Sequence, residues 1–319
     1  TNEAGVWARE GSRLAVRGGT ITAPNSAAVA ANDVGTVITI DKAKITSTVR
    51  FGLYAYERAD IVATNCQISS TENVAVWLGT AATGTLTDCT IDSTNSNAVW
   101  ASGGARLGVS GGTVTAPHKA AVAGSDVGTV ITIDAAKITS TNSSGLQVWE
   151  RADVVASNCQ VSSTESVAVW LGTAATGTLT NCTIDSTNGG VWVEEGSKLA
   201  LNGGTITAPN RTAVAANDVG TVITIDAAKI TSTASNGLHV HNRADIVATN
   251  CQISSTEYPA VWLGTAATGT LTNCTIDSTN SNGVSTREGS KLAVNGGTIT
   301  APNRTAVAAN DVGTVITID

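Results

Sequence analysis

Internal repetition constrains this chain more than any other feature. The segment DVGTVITID occurs without change at 33–41, 126–134, 218–226 and 311–319. Copies are therefore 92 or 93 residues apart, and such self-similarity is typical of repeat architectures. A repeat protein spreads its function over a surface, so a single catalytic pocket is not what this pattern favours.

A shorter period lies inside the long one. Isoleucines recur at Ile21, Ile45, Ile68 and Ile91, in steps of 24, 23 and 23 residues. A second series of Val or Leu follows each marker by seven or eight residues. Apolar residues alternate with polar ones around these markers, and Val, Ile and Thr dominate, which indicates β-strands. No segment has a sustained helical period.

Three short strands in a unit of about 23 residues predict a right-handed parallel β-helix of about 14 coils, with inward residues stacked in ladders about 4.8 Å apart. A left-handed hexapeptide helix lacks its six-residue period here, and the unit is too short for an immunoglobulin-like sandwich. We predict one domain over 1–319, cut in mid-repeat at both ends. Its four-coil copies span about 18–110, 111–202, 203–295 and, in part, 296–319.

Composition narrows the possible partners. The chain has 18 Lys and Arg against 25 Asp and Glu, a net charge of −7, so it lacks the basic face that nucleic acid requires. It has no apolar run long enough to span a membrane as a helix. We expect neither a cofactor nor a metal.

Six cysteines form three pairs, each 23 residues apart. All occupy the inward position two before the Ile marker. One interpretation is a disulfide between adjacent coils in an oxidising compartment, and the other is a buried thiol that packs as a small hydrophobe. We favour the disulfide. The pairs are Cys66 with Cys89, Cys159 with Cys182, and Cys251 with Cys274.

Aromatic residues concentrate at the outward position after the Val or Leu marker. Six of the seven Trp lie there, and the copies differ most at this position and just after it. Exposed aromatic rings suit contact with a saccharide or a protein, whereas a purely stabilising ladder is the alternative. The candidate interface residues are Trp7, Tyr54, Trp77, Trp100, Trp149, Trp170, Trp192, His239 and Trp262.

The rest of the sequence gives little support for a metal site or a catalytic site. His239 and His241 form an H-x-H pair without a further ligand, so we expect a solvated pair and no metal site. No catalytic motif is present. Coil lengths vary by only one or two residues, which leaves no long insertion to wall a catalytic cleft, so we expect no enzyme.

The segments 282–300, 288–303 and 236–254 resemble the passenger repeats of bacterial autotransporter adhesins, within the pectin-lyase-like β-helix class. The motif that carries this resemblance is G-[VL]-x-V…G-S-x-L-x-[VL]-x-G-G-T-[IV]-T. The resemblance covers essentially the whole chain and implies secretion, surface display and an adhesive or stalk-like role. Paired cysteines and near-identical copies depart from that family.

We therefore expect an extracellular, surface-displayed structural protein that forms a stalk or self-assembling fibre. Its partners would be other copies of itself or a cell-surface glycan or protein. The main alternative is a carbohydrate-binding module that uses the Trp column. A polysaccharide-processing enzyme and an ice-binding protein are more distant alternatives, because Lys, Gln and Asp interrupt any Thr-x-Thr ladder in three coils of four.

Overall fold

The computed structural model describes residues 4–319, which form β-strands joined by turns, bends and irregular segments. The chain divides into two compact units, one ending at Ser162 and one covering Ser163–Asp319. Each unit is a parallel β-solenoid in which a coil carries three strands, and the chain has about 14 coils in all. The predicted N-terminal cut lies outside the described residues, and the predicted domain boundaries stay predictions.

Each coil of the first unit contains a three-residue, a five-residue and a four-residue strand, because two bends interrupt the alternating apolar pattern. The strands are β1 (Val6–Ala8), β2 (Arg13–Arg17), β3 (Thr20–Ala23), β4 (Val29–Ala31), β5 (Val37–Asp41), β6 (Lys44–Ser47), β7 (Leu53–Ala55), β8 (Asp60–Thr64), β9 (Gln67–Ser70), β10 (Val76–Leu78), β11 (Thr83–Thr87), β12 (Thr90–Ser93), β13 (Val99–Ala101), β14 (Arg106–Ser110), β15 (Thr113–Ala116), β16 (Val122–Gly124), β17 (Val130–Asp134), β18 (Lys137–Ser140), β19 (Leu146–Val148), β20 (Asp153–Ser157) and β21 (Gln160–Ser163), which includes the boundary.

The second unit repeats this order, except that two strands run through the second bend. Its strands are β22 (Val169–Leu171), β23 (Thr176–Thr180), β24 (Thr183–Ser186), β25 (Val191–Val193), β26 (Lys198–Asn202), β27 (Thr205–Ala208), β28 (Val214–Ala216), β29 (Val222–Asp226), β30 (Lys229–Ser232), β31 (Leu238–Val240), β32 (Asp245–Thr249), β33 (Gln252–Ser255), β34 (Val261–Leu263), β35 (Thr268–Ser278), β36 (Val284–Thr286), β37 (Lys291–Thr300), β38 (Val307–Ala309) and β39 (Val315–Ile318).

The Ile ladder sets the register. Ile21 pairs with Ile45, and Ile45 with Ile68, each one coil along. All strand pairs are parallel, so every marker stacks on its counterpart. Ile45, Ile68 and Ile91 are at most 1% exposed. Burying an aliphatic side chain of this size stabilises the fold by about 1.5–3 kcal/mol.

Two local devices turn the chain at the bends. Most four-residue strands end on a buried serine that donates to a backbone carbonyl, as Ser47 Oγ does to Ser26 O over 2.8 Å and Ser93 Oγ to Asn73 O over 2.8 Å. The other bend places a residue in the left-handed region. Gly112 occupies it with a φ of 73°, and a Cβ there would lie 2.1 Å from Cys89 O. Only glycine fits that approach.

The predicted parallel β-helix with three strands per coil is confirmed. The five-residue and four-residue strands belong to one sheet, because β35 and β37 join their two ladders in the second unit. Short bends keep the coil uniform, and the long copies differ most in outward side chains.

Candidate functional site

We use the name aromatic edge for the middle residue of each three-residue strand. Trp7, Ala30 and Tyr54 occupy it in the first three coils, and Trp77 and Trp100 follow in direct register. Because a strand points successive side chains to opposite faces, these residues point outward while their neighbours are buried. The predicted column therefore exists within each unit.

The structure divides the tryptophans of this edge into two classes. In the first class the ring covers a glycine two residues further on. A Cβ at Gly79 would lie 2.6 Å from Cη2 of Trp77, and one at Gly264 would lie 2.3 Å from Cη2 of Trp262. These rings are half-buried and pack against the glycine backbone, so they leave little free surface for a partner. We call Trp77, Trp170 and Trp262 the packed tryptophans.

The second class lacks the glycine and is more open. Trp7 is 50% exposed and Trp192 is 36% exposed. Trp100 is half-buried, and its Nε1 donates to Ser125 Oγ over 3.4 Å. In each case the next coil carries alanine at the edge. We call Trp7, Trp100 and Trp192 the open tryptophans.

Alanine at the edge leaves a gap between larger neighbours, once in every four coils. We call the three gaps notches and name each by the residues that define it. The first notch is Trp7, Ala30 and Tyr54, the second is Trp100, Ala123 and Gln147, and the third is Trp192, Ala215 and His239.

One wall of the first notch is a stack of aromatic rings. Tyr54 stacks on Phe51 with ring centroids 5.3 Å apart and on Trp77 with centroids 5.1 Å apart. Tyr56 adds a fourth ring, 5.9 Å from Trp77. Burial raises the pKa of the Tyr54 hydroxyl, so it stays protonated at neutral pH. Such contacts are each worth about 0.5–1.5 kcal/mol beyond area burial, so the wall is rigid.

The first notch opens into a cavity of about 290 Å³. Rings and small side chains alternate with polar groups around it, and Arg50 is the charged member. The lining residues are Ala4, Trp7, Asn25, Ser26, Ala27, Ala30, Asn32, Arg50, Phe51 and Tyr54.

Asn32 carries an unsatisfied atom. Its Oδ1 is excluded from solvent and has no hydrogen-bond partner in the structure. Leaving a buried acceptor unpaired costs about 1–3 kcal/mol. Native proteins retain few such groups, and each calls for a physical reason.

The third notch has the same scaffold and different polar chemistry. Its cavity is about 180 Å³. Asn217, the counterpart of Asn32, accepts a hydrogen bond at Oδ1 from Nδ2 of Asn242 over 3.0 Å. The first unit has Glu57 where the second has Asn242, and a carboxylate cannot donate. The amide acceptor is therefore satisfied in one notch and unsatisfied in the other.

The histidine pair is half-buried, so it is less solvated than predicted. His239 packs edge-on against Trp262 with ring centroids 4.4 Å apart, and His241 stacks on Trp262 at 5.7 Å. Burial, with the charge of His241 as a second cause, lowers the pKa of His239 to about 4. The imidazole of His239 is therefore neutral at pH 7. The H-x-H spacing places both histidines on the outward strand face, but it does not predict that the Trp262 ring packs against them.

Trp149, a predicted interface residue, lies at the second notch together with Gln147. Both are half-buried, Gln147 on β19 and Trp149 one residue after that strand ends. Trp149 N–H on the backbone donates to Gly124 O over 2.9 Å, which fixes its position beside the preceding coil. Neither residue adds a ring stack like that of Tyr54.

The cysteines are buried thiols in the structure, and the predicted disulfides stay a prediction. Each thiol donates to backbone carbonyls, as Cys66 Sγ does to Thr64 O over 3.2 Å and Cys251 Sγ to Thr249 O over 3.1 Å. In the first unit, the interaction between the two thiols lowers the pKa of Cys66 to about 6 and raises that of Cys89. In the second unit, the same interaction lowers the pKa of Cys274 to about 7 and raises that of Cys251. The two cysteines of each of these pairs lie at the same position of adjacent coils.

The described residues also lack two other kinds of feature, a metal-ligand cluster and a membrane-spanning helix. Within residues 4–319, no three His, Cys, Asp or Glu side chains come together as metal ligands. In the same residues there is no helix of the length and hydropathy that crossing a membrane requires.

Known proteins support the fold. The family model described as "Right handed beta helix region" matches residues 1–114, 117–218 and 212–318. No curated protein sequence matches the chain. Among solved structures, the chain is similar to the A-module of a mannuronan C-5 epimerase from Azotobacter vinelandii, at 15% identity and a TM-score of 0.48, over 88% of this chain and 90% of that one. The matched ranges span nearly all coils, so the chain belongs to the right-handed β-helix family.

Proposed function

We propose that the chain is an extracellular structural and adhesive protein in which the coil is a scaffold and the aromatic edge contacts partners. Those partners are other copies of the chain or a glycan or protein at a cell surface. The proposal includes the surface display implied by the resemblance of 282–300 to autotransporter passenger repeats. It assigns no catalysis, because the short, uniform bends leave no insertion to build a cleft.

The open tryptophans carry this proposal. Trp7 and Trp192 expose large apolar rings, 50% and 36% respectively, although an indole is usually well covered. Trp is also among the residues most enriched where proteins bind partners. The packed tryptophans show that the same scaffold can cover an indole when a glycine follows, so exposure at the open positions is a local feature of those coils.

Differences between copies support the same edge. Tyr54-Ala-Tyr-Glu in the first copy becomes Gln147-Val-Trp-Glu and then His239-Val-His-Asn, while DVGTVITID is unchanged. The outward residues of these segments border the notches, whereas Ala55, Val148 and Val240 among them are buried. A surface that meets different partners, or different parts of one partner, needs variation there and constancy in the core.

The test compares two triple variants of the intact chain. In the first, the open tryptophans become alanine (W7A, W100A, W192A). In the second, the packed tryptophans do (W77A, W170A, W262A). Self-association is measured by sedimentation velocity, and attachment to immobilised cell-surface glycans and proteins by biolayer interferometry.

We expect the open-tryptophan variant to lose attachment or self-association while its melting temperature stays within a few degrees of the wild type. The packed-tryptophan variant should instead lose stability. If the open-tryptophan variant remains folded and retains every interaction of the wild type, the edge is not the contact surface and the proposal fails.

A further inference from the structure

We infer that the first notch is a binding site for one pyranose ring of a saccharide. This rests on the proposed function, since the first notch belongs to the aromatic edge, and it names the chemical class that one part of the edge recognises.

The width of the notch fits one ring. Trp7 and Tyr54 are two coils apart, so their backbones are separated by about 9.6 Å. A ring inserted between two aromatic faces needs about 3.5–4 Å on either side for van der Waals contact, or about 7–8 Å in all. Ala30 is 6% exposed and forms a floor that adds no bulk.

The size of the cavity limits its occupant. Pockets for drug-sized molecules span about 300–1,000 Å³, and this one is about 290 Å³. It therefore holds a single six-membered ring, with the rest of an oligosaccharide continuing along the exposed edge. A folded protein partner would reach into it with no more than one side chain.

The lining has the amphipathic character that a pyranose requires. Its apolar C–H face would pack on Trp7 and on the Phe51–Tyr54 wall, where the electron-rich faces of the rings favour partly positive hydrogens. Its hydroxyl rim would face the polar members of the lining. An apolar ligand would leave the Asn32 oxygen unpaired, which is costly because that oxygen is excluded from solvent.

Asn32 and Arg50 define what the rim must supply. Asn32 Oδ1 lacks a donor, and a sugar hydroxyl is a donor of the right kind. The Arg50 guanidinium has only hydrogen-bond donors and has no ion-pair partner among residues 4–319. It can therefore donate to a ring hydroxyl or to a carboxylate of the saccharide. Small shifts of the Asn32 amide on binding would bring its oxygen to the ligand.

The third notch supplies the contrast. There the Asn217 acceptor is already bonded to Asn242, and His239 replaces the stacked tyrosine. The cavity is also smaller, about 180 Å³. In the second notch, Ser125 already accepts from Trp100. We therefore assign the saccharide to the first notch alone.

The experiment screens the full chain against a panel of neutral hexose and uronate oligosaccharides, each a hexamer, and measures the best binder by isothermal titration calorimetry. The two arms of the panel show whether Arg50 meets a hydroxyl or a carboxylate. We expect one site per chain. The blocking variant is Ala30→Trp, which fills the notch with an indole.

This substitution suits the scaffold, because Trp77 and Trp100 already occupy adjacent coils in register. We expect Ala30→Trp to weaken saccharide binding at least 50-fold. The control is the matched insertion Ala215→Trp in the third notch, which should bind within threefold of the wild type. If Ala30→Trp does not fold, Glu57→Asn tests the same site, because it would occupy Asn32 Oδ1 and weaken binding about tenfold, equivalent to about 1.4 kcal/mol.

A wild-type chain that binds no member of the panel overturns the inference, as does a folded Ala30→Trp or Glu57→Asn variant with unchanged affinity. Failure here is separable from failure of the proposed function. Attachment that depends on the open tryptophans without saccharide binding would leave the proposed function standing and reject the notch. Saccharide binding by a chain that neither attaches to cell-surface molecules nor self-associates would support the notch and reject the proposed function.

Discussion

The first and third notches share a scaffold and differ in what the scaffold leaves unsatisfied. Each is an alanine between a tryptophan and a variable residue, with an asparagine two residues after the alanine. Asn217 is paired with Asn242, whereas Asn32 faces the position of Glu57 and is unpaired. The third notch is thus complete by itself, and the first is complete only with a ligand.

This difference indicates that the inward ladder positions serve stability, whereas the positions of the aromatic edge serve function. Ladder positions repeat because every coil must match its neighbours in the core, where packing tolerates little change in volume. Edge positions contribute less to the core and vary from copy to copy. Where aromatic rings stack along the aromatic edge, they stabilise the coil. Where an alanine interrupts the stack, rings and polar atoms are exposed to a partner.

The largest expected effect separates the two classes of tryptophan within the second unit. Trp262→Ala removes a ring that covers Gly264 and packs on both histidines, so we expect the free energy of unfolding to fall by about 3 kcal/mol. Trp192→Ala removes a ring that is 36% exposed, and we expect a loss of at most about 1 kcal/mol. Urea unfolding measures both. Equal losses would erase the distinction on which the notches depend.

His239 should make the second unit sensitive to acid in a way that Tyr54 does not make the first. The folded-state pKa of His239 is about 4, against 6.5 for the ordinary group. Between these values the unfolded chain binds more protons, so stability is lost as pH falls from 6.5 to 4, by at most about 3 kcal/mol.

The matched variant is His239→Gln, which copies the residue of the second notch. The difference in unfolding free energy between wild type and variant should change with pH in that window and be constant above pH 7. A difference that does not vary with pH would show that His239 is solvated after all, with His241 and Trp262 leaving it open to water.

The cysteine pairs should respond alike in both units, because both lie in the core and not at the edge. Mild oxidation of the native protein should join Cys66 to Cys89 and Cys251 to Cys274, each closing a loop of about 23 residues and stabilising by about 3 kcal/mol before any strain is subtracted. Intact mass and peptide mapping without reductant would detect the bonds. Thiols that alkylate fully after oxidation and unfolding would refute the disulfide and leave the pairs as buried hydrophobes.

The smallest effect tests the polar difference directly. Glu57→Asn should satisfy Asn32 and raise the free energy of unfolding by about 1 kcal/mol, since a buried acceptor gains a partner. The reciprocal Asn242→Glu should destabilise the second unit by a similar amount. Thermal unfolding measures both, and changes of the same sign in the two variants would contradict the comparison.

Sequence periodicity was sufficient for the fold because inward ladders depend on spacing alone. Ile21, Ile45 and Ile68 stack as predicted. The two classes of tryptophan were missed, although a signal exists: glycine follows Trp77, Trp170 and Trp262 by two residues, and does not follow Trp7, Trp100 or Trp192.

Other parts of the site could not be predicted from sequence. The burial of His239 depends on the angle of the Trp262 ring, and the unpaired Oδ1 of Asn32 depends on which side chain of the next coil reaches it. Both are side-chain geometries across coils. Spacing gives the register of such pairs and not their contacts.

The most direct test of the account is to build the first notch in the second unit. Ser235→Arg, Asn236→Phe, His239→Tyr, His241→Tyr and Asn242→Glu together copy the walls of the first notch onto the third. The number of saccharide sites per chain is then measured by titration calorimetry, on protein whose melting temperature stays within a few degrees of the wild type. The account predicts that the number rises from one to two. A folded graft that still binds one saccharide would contradict the claim that the residues at the edge, carried by a constant coil, decide what each copy binds.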